Sequence, residues 1–457
     1  MSLLINTISA IGNNNSFYPL LVRDCGIEAP TKVAQTYNQN AKESKIMAKH
    51  ATRERMIDEY GASIVWLGGI PLVERICNKI IDKKGISSKI NFKLFDDNKS
   101  AMSDSDRLQQ GIDINIKKFE NNKKLDVIEA VEDLKKAKAN KGLLKKLTVG
   151  KYCAAIAIPV ALMGFILPKS NFALTNYLFK KDAKKGLIPQ KYLEDKADLM
   201  LDAKEETETY SKINYDNLNR GVYENKFNSL NSMRRESSPS FKGFASFMTG
   251  LTQQQKMAIT DGGLGIGRVG TSRRKNETIE NGVRVGGMMY LNFVAPKQID
   301  KGLDKVITKV FGINPSLDPK IMANKRFLAL VRSDKLDLPK SQEEVIEFFD
   351  KNPKSLFSKV ASQMGEVKFL KSGIRDPRCY VNTENVINLA QKMDEFGKYA
   401  RKSGNVQKYA KKALGAKSAS IIANIALSSS LLAVGLPQLQ FAVRRTFFNS
   451  EVDPGLV

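Results

Sequence analysis

Gly265-Ile-Gly267-Arg-Val-Gly270 is the one segment with the spacing of a phosphate-binding loop. A G-x-G-x-x-G run cradles a pyrophosphate when it follows a strand and opens a helix: glycine lets the backbone approach, and the helix N-terminus supplies N–H donors. Here the lead-in Met257-Ala-Ile-Thr260 is short and polar-flanked, and no strand–helix alternation surrounds it. Nucleotide binding at Gly265, Gly267 and Gly270 is therefore the minor reading, beside a Gly-rich turn between helices.

His50 is the single histidine and sits on a charged helical stretch. One histidine excludes multi-His metal sites and makes any Ser-His-Asp or Cys-His arrangement depend on it. The plainer reading is a solvated helix face. Asp96, Asp97, Asp104 and Asp106 lie in a Ser/Asn-rich loop that lacks the twelve-residue calcium spacing. Cys25, Cys77, Cys153 and Cys379 form no C-x-x-C pair and read as reduced, buried small hydrophobes. No catalytic constellation is recognisable, so the chain reads as non-enzymatic, with no cofactor and no metal expected. Acids that converge only in three dimensions leave no spacing signature.

Charge points to partners more than to chemistry. The 457 residues carry 73 Lys+Arg against 48 Asp+Glu, a net +25. Such an excess favours polyanionic surroundings: an anionic membrane surface first, nucleic acid less so. Two basic collars share one pattern, Lys145-Lys146 with Lys151 and Lys411-Lys412 with Lys417. Each precedes an apolar run, and Arg444-Arg445 follows the second run. These eight residues are the candidates for headgroup or phosphate contact. Aromatics are not interleaved with them, apart from Tyr409, so stacking on single strands is poorly supported.

The elements that must position these groups are duplicated. Residues 154–179 and 423–448 align without a gap and match at nine of 26 positions, including Leu167-Pro168 with Leu436-Pro437 and Phe172-Ala173 with Phe441-Ala442. Further upstream, Asp24-Cys25-Gly26 parallels Asp261-Gly262-Gly263, and Gly61 to Pro71 parallels Gly286 to Pro296. Landmarks in one order argue for a tandem repeat. The expected division is a tail 1–19, copy one 20–180, a polar linker with helical pieces 181–256, copy two 257–450 and a tail 451–457.

Helical patterns dominate. Ala41 to Glu59 lacks Gly and Pro, while Leu125 to Ala139 and Val386 to Tyr399 carry amphipathic stripes. Ser341 with Glu344 has capping-box spacing. Residues 89–94 and 283–293 are the best short strand candidates. The expected fold class is mainly α: a tandemly duplicated helical unit with two long apolar helices, 152–168 and 418–443, and two shorter apolar segments, 61–73 and 285–296.

A helix needs about 20 apolar residues to cross a bilayer. Residues 418–443 carry no charge over 26 positions, and 152–168 none over 17. Basic residues flank both segments on both sides, so orientation is open. No secretory signal is expected at the N-terminus, and most of the chain is expected to face a reducing cytoplasm. The expected function is a non-enzymatic, membrane-associated helical protein. A soluble duplicated scaffold that hides the same segments as its core, with a protein partner, is the alternative. A nucleotide- or nucleic-acid-binding protein comes third.

Overall fold

A computed structural model describes residues 3–13, 16–41, 44–95, 104–188, 251–270 and 275–448. They form helices joined by short turns, with no strand among the described residues beyond one isolated bridge, Phe369 with Arg375. Helix α1 is Leu3–Gly12, α2 covers 18–41, α3 is Lys45–Lys83, α4 Asp104–Gln110, α5 Ile112–Phe119, α6 Leu125–Ala139 and α7 Lys141–Lys184. Then come α8 Gln253–Gly270, α9 over 275–311, α10 Pro319–Met322, α11 Lys325–Arg332, α12 Val345–Lys351, α13 Leu356–Gln363, α14 Thr383–Lys402 and α15 Val406–Phe447. Much of the linker 181–256, the terminal tail 451–457 and Asp96-Asp97 lie outside the described residues.

Several elements differ from expectation. The strand candidate 89–94 runs into a 3-10 turn, Phe92–Phe95, whose rings fill a small core instead of pairing edgewise. The other candidate, 283–293, lies inside α9. Segments 61–73 and 285–296 are the middles of long helices, not separate pieces. Ala41 and Glu59 fall in different helices, because Ser44 starts α3 by accepting from the Met47 N–H. Glu344, not Ser341, is the N-cap of α12. The N-terminal residues form α1, which packs on α10 and α15 and is pinned where the Ser9 hydroxyl donates to Asp318, 2.8 Å.

Two three-helix sets form the body of the protein. In the first, α3 runs antiparallel to α2 and α7: Lys151 reaches Asn78, Asn171 reaches Asp58, and His50 reaches Asp182. In the second, α9 runs antiparallel to α8 and α15: Lys417 reaches Asp304, Asn424 reaches the Pro296 carbonyl, and Gln440 reaches Glu280. The sets exchange their first helices. Helix α8 lies parallel to α7 of the other set, with Lys256 over the Tyr152 ring and Gly267 against Gly164. Helix α2 lies along α15, where Gln35 donates to the Ala433 carbonyl.

Proline sets the shape of the long helices. A proline inside a helix leaves the carbonyl four residues earlier without its donor, and its ring crowds that carbonyl. Pro168, Pro296 and Pro437 each sit two residues past a five-residue π turn: Leu162–Ile166, Tyr290–Val294 and Leu431–Gly435. In each, the residue before the proline bonds five residues back, which widens the helix and absorbs the ring. The carbonyls four residues before these prolines, which a regular helix would bond to them, are those of Gly164, Asn292 and Ala433. Neighbouring helices reach two of them: Arg23 Nη1 donates to Asn292 O, 3.4 Å, and Gln35 Nε2 to Ala433 O, 3.2 Å. The third lies under Gly267, where a Cβ would come within 3.2 Å of it.

Two helical caps sit on one end of the bundle, one inserted between α3 and α7, the other between α9 and α15. The second has the larger core, with Phe327, Phe349, Phe357 and Phe396 fully buried. Its strap 366–382 plugs into the first cap: Arg375 reaches Asn115 (3.5 Å), Arg378 bonds Asp133 (2.8 Å), and Tyr380 donates to Asp106 (2.6 Å). Burial and the Asp106 contact push the Tyr380 phenol well above its usual range, and burial pushes the Cys379 thiol up to about 11.

The Gly267–Gly164 crossing is testable. A Cβ at Gly267 lands 3.0 Å from Gly164 Cα, which is backbone and cannot swing away, while a Cβ at Gly270 meets nothing within 4 Å. Gly267→Leu is expected to cost about 1–3 kcal/mol or more in denaturant unfolding. Gly270→Ala is expected to change little.

Candidate functional site

The charged residues that interrupt the apolar helices converge where α2, α3, α8 and α9 meet. Glu59 is the hub: Arg55 lies 2.9 Å and Arg284 2.8 Å from one oxygen, and Lys32 lies 3.9 Å from the other. Lys32 also pairs with Glu28 one turn away. Arg23, Glu28 and Lys32 are 1%, 3% and 3% exposed. The pairing has a pattern. Arg55 and Glu59 occupy the places in α3 that Glu280 and Arg284 occupy in α9, when Gly61 is set against Gly286 and Pro71 against Pro296. The order of charge is reversed between the sets, so Glu59 of one meets Arg284 of the other.

Beside this hub lies a cavity of about 40 Å³. Asp24, Glu28, Glu59 and Asp261 are the charged side chains that line it, and all are acidic. Their cations stand behind the wall. Trp66 closes one side, held by its indole N–H on the Met257 carbonyl at 3.2 Å. Asn292 also lines the cavity, and Asp24 Oδ1 and Asn292 Oδ1 are buried without a hydrogen-bond partner. A cavity of this size admits a few water-sized occupants. No protein family, curated protein or solved structure matches the chain.

The residues singled out by spacing fall elsewhere. Gly265, Gly267 and Gly270 lie inside α8, not on a loop before a helix. Gly263 and Gly267, four apart, face Val160 and Gly164 of α7, while Gly265 faces Val285 of α9. The glycines admit two helices, and no N-terminal cradle remains for a phosphate; this corrects both the nucleotide reading and the Gly-rich turn. His50 is buried, not solvated. Its ring nitrogens face Asp182 Oδ2 at 3.0 Å and Arg53 at 3.1 Å, so it joins the ends of α3 and α7. Asp106 is held by Tyr380, Thr383 and Gln110. All four cysteines are free, but Cys153 is exposed and Cys25, Cys77 and Cys379 are only partly buried.

The basic collars divide. Lys146, Lys411 and Lys412 are exposed and Lys145 is half-buried, all near the capped end of the bundle. Lys151 turns inward to Asn78 at 3.2 Å. Lys417 is buried against Asp300 and Asp304, both at 3.0 Å, which corrects its assignment to a headgroup. Arg445 is exposed at the opposite end; the Arg444 side chain lies outside the described residues.

Spacing missed the acidic cluster because its members come from three helices, α2, α3 and α8. One signal was present. Glu28/Lys32, Arg55/Glu59 and Glu280/Arg284 are opposite charges four apart on their helices, the last two pairs just before the apolar stretches 61–73 and 285–296.

Removing one member of a buried pair leaves an uncompensated charge. Glu59→Gln is expected to cost about 3–5 kcal/mol. Adding Arg284→Met should return part of that loss, because one orphaned cation is gone. A double-mutant cycle read by unfolding midpoints checks the coupling.

Proposed function

We propose that the protein is a membrane-associated, non-enzymatic helical bundle built by tandem duplication of a three-helix unit. One observation carries the reading: the middle of the bundle is inside-out. Arg23, Glu28, Lys32, Glu59 and Arg284 turn inward, while Ile64 is 72% and Ile266 77% exposed. Ile158, Phe165, Ile166, Ile422, Leu427 and Val434 add to the outer belt. Water would favour the opposite distribution. In a bilayer, charged groups face the bundle interior and pair, and apolar groups face lipid. Both α7 and α15 contain 18-residue windows of mean hydropathy 1.8, long and apolar enough to cross a membrane. Exposed Lys146, Lys411 and Lys412 then meet anionic headgroups beside the caps.

Two equivalent details support the duplication. The π turns 162–166 and 431–435 lie at the same offset as the gap-free sequence match, 269 residues. The leucine that follows each turn packs on a glycine of the neighbouring helix, Leu167 on Gly61 and Leu436 on Gly287, one position beyond the Gly286 that aligns with Gly61.

A second reading, a soluble assembly with a covered belt, is favoured by the path of the chain. Helix α7 ends beside His50, and α8 begins beside Glu74 and Tyr152, at the other end of the bundle. Residues 185–252 therefore connect opposite ends, about 45 Å apart along the helices. Their longest charge-free run, continued into α8 as 243–255, has 13 residues. That is short for a spanning helix.

Washing membranes with alkaline carbonate separates the two. Retention in the pellet, with release by detergent alone, is the expected result; full extraction without detergent moves the protein to the soluble assembly. Cys153 gives a second readout, since it is exposed in the belt and Cys379 reacts slowly for want of thiolate. In native membranes Cys153 should resist a charged maleimide and accept an uncharged, lipid-soluble one.

A further inference from the structure

We infer that the cavity between the two helix sets binds a single monovalent alkali cation, held by Asp24 and Asn292. The inference rests on the cavity and not on the membrane reading, because the same residues enclose it in either setting.

The first ground is the sign of the wall. The charged side chains lining the cavity are Asp24, Glu28, Glu59 and Asp261, all carboxylates. Glu28 and Glu59 are engaged by Lys32, Arg55 and Arg284, which approach from outside the lining. Arg23, the cation next to Asp24 in sequence, spends one guanidinium nitrogen on the Asn292 carbonyl. A positive occupant is therefore favoured in a space where water screens little.

The second ground is independent of charge. Asn292 is 2% exposed, lines the cavity, and has no partner for its side-chain oxygen. Its main-chain carbonyl is already used by Arg23. Asp24 Oδ1 is likewise buried and unpartnered. Buried acceptors left unsatisfied are costly, and two of them bordering one cavity share one need: a donor or a cation. Ser63 also lines the cavity.

The third ground selects the charge of the ion. Among the described residues no group of three His, Cys, Asp or Glu side chains is placed to hold a metal. A calcium site uses six to eight oxygen ligands, several of them carboxylate, and magnesium demands a near-ideal octahedron. One carboxylate oxygen, one amide oxygen and room for a few waters suit a singly charged, weakly dehydrated cation better.

The test uses the full chain. Thermal unfolding is followed while NaCl or KCl replaces choline chloride at constant ionic strength. The wild type is expected to show a saturable rise of about 5 °C with Na⁺ or K⁺ at a concentration far above its dissociation constant. Asn292→Leu, close to isosteric, and Asp24→Asn are each expected to raise the half-saturating concentration at least about tenfold, one lost ligand being worth roughly a factor of ten in affinity. Equilibrium dialysis of radioactive Na⁺ and K⁺ against the wild type needs no variant and should give a stoichiometry near one ion per chain. Equal response to alkali and choline salts overturns the site, as does an unchanged midpoint curve in both variants or no retained ion in dialysis.

Discussion

A proline in the middle of a long helix leaves one carbonyl without a donor, and in apolar surroundings that carbonyl needs a partner from outside its helix. Three helices of this bundle carry such a proline two residues past a π turn, and the packing is organised around the consequence. Arg23 of α2 reaches the Asn292 carbonyl of α9, and Gln35 of α2 reaches Ala433 of α15. Both bonds run from the first set to the second. The helices that supply partners must come close, and closeness fixes composition. Where α8 lies on α7 the contacts are Gly263 and Gly267. On α15, beside the turn that Gln35 of α2 reaches, Ser428 and Ser429 are buried. The serine run that lowers the hydropathy of 418–443 therefore serves helix packing, as small residues do between close helices.

The same proximity concentrates charge. Once Arg23 is drawn inside to meet a carbonyl, Asp24, the next residue on α2, and Glu28, five residues on, follow it into the interior. Lys32 then pairs with Glu28, Glu59 gathers Lys32, Arg55 and Arg284, and the network extends through α2, α3 and α9. Isolated ions in this environment are costly, and each remains because a partner lies beside it, Arg284 being the one that the other set supplies. The inward turn of charge and the outward turn of isoleucine and phenylalanine are thus two sides of one arrangement.

Legibility in the sequence followed the reach of each signal. Helices α6 and α14 were visible because amphipathic stripes are local and the caps bury one face against a core. The aligned Leu-Pro steps were visible as letters, but not as π turns, since a π turn depends on which neighbour satisfies the freed carbonyl. The glycine motif misled for a related reason. Spacing reports that a backbone approaches something closely; whether phosphate or another helix comes near is a tertiary matter, and here Gly164 and Val285 do. Lys417 looked like Lys411 and Lys412, yet one turn of helix separates a headgroup candidate from a residue locked on Asp300 and Asp304. The acidic cavity was the least legible part, because Asp24, Glu59 and Asp261 become neighbours only when the sets exchange helices.

That exchange explains why the cavity sits where it does. Neither three-helix set could close around it alone. Helix α2 leaves its own α7 to lie on α15, and α8 leaves α15 to lie on α7, so the inner faces of α2, α3, α8 and α9 enclose a space belonging to both sets. The reversed charge order of Arg55/Glu59 and Glu280/Arg284 is what such a junction requires. Had both sets kept the same order, Glu59 would have met a second glutamate, and like charges at that distance repel inside a protein far more than in water. Two helix sets that carry one charged pair in opposite order can bind each other where the same order would push them apart. The asymmetry at the centre is therefore the condition for the symmetry around it.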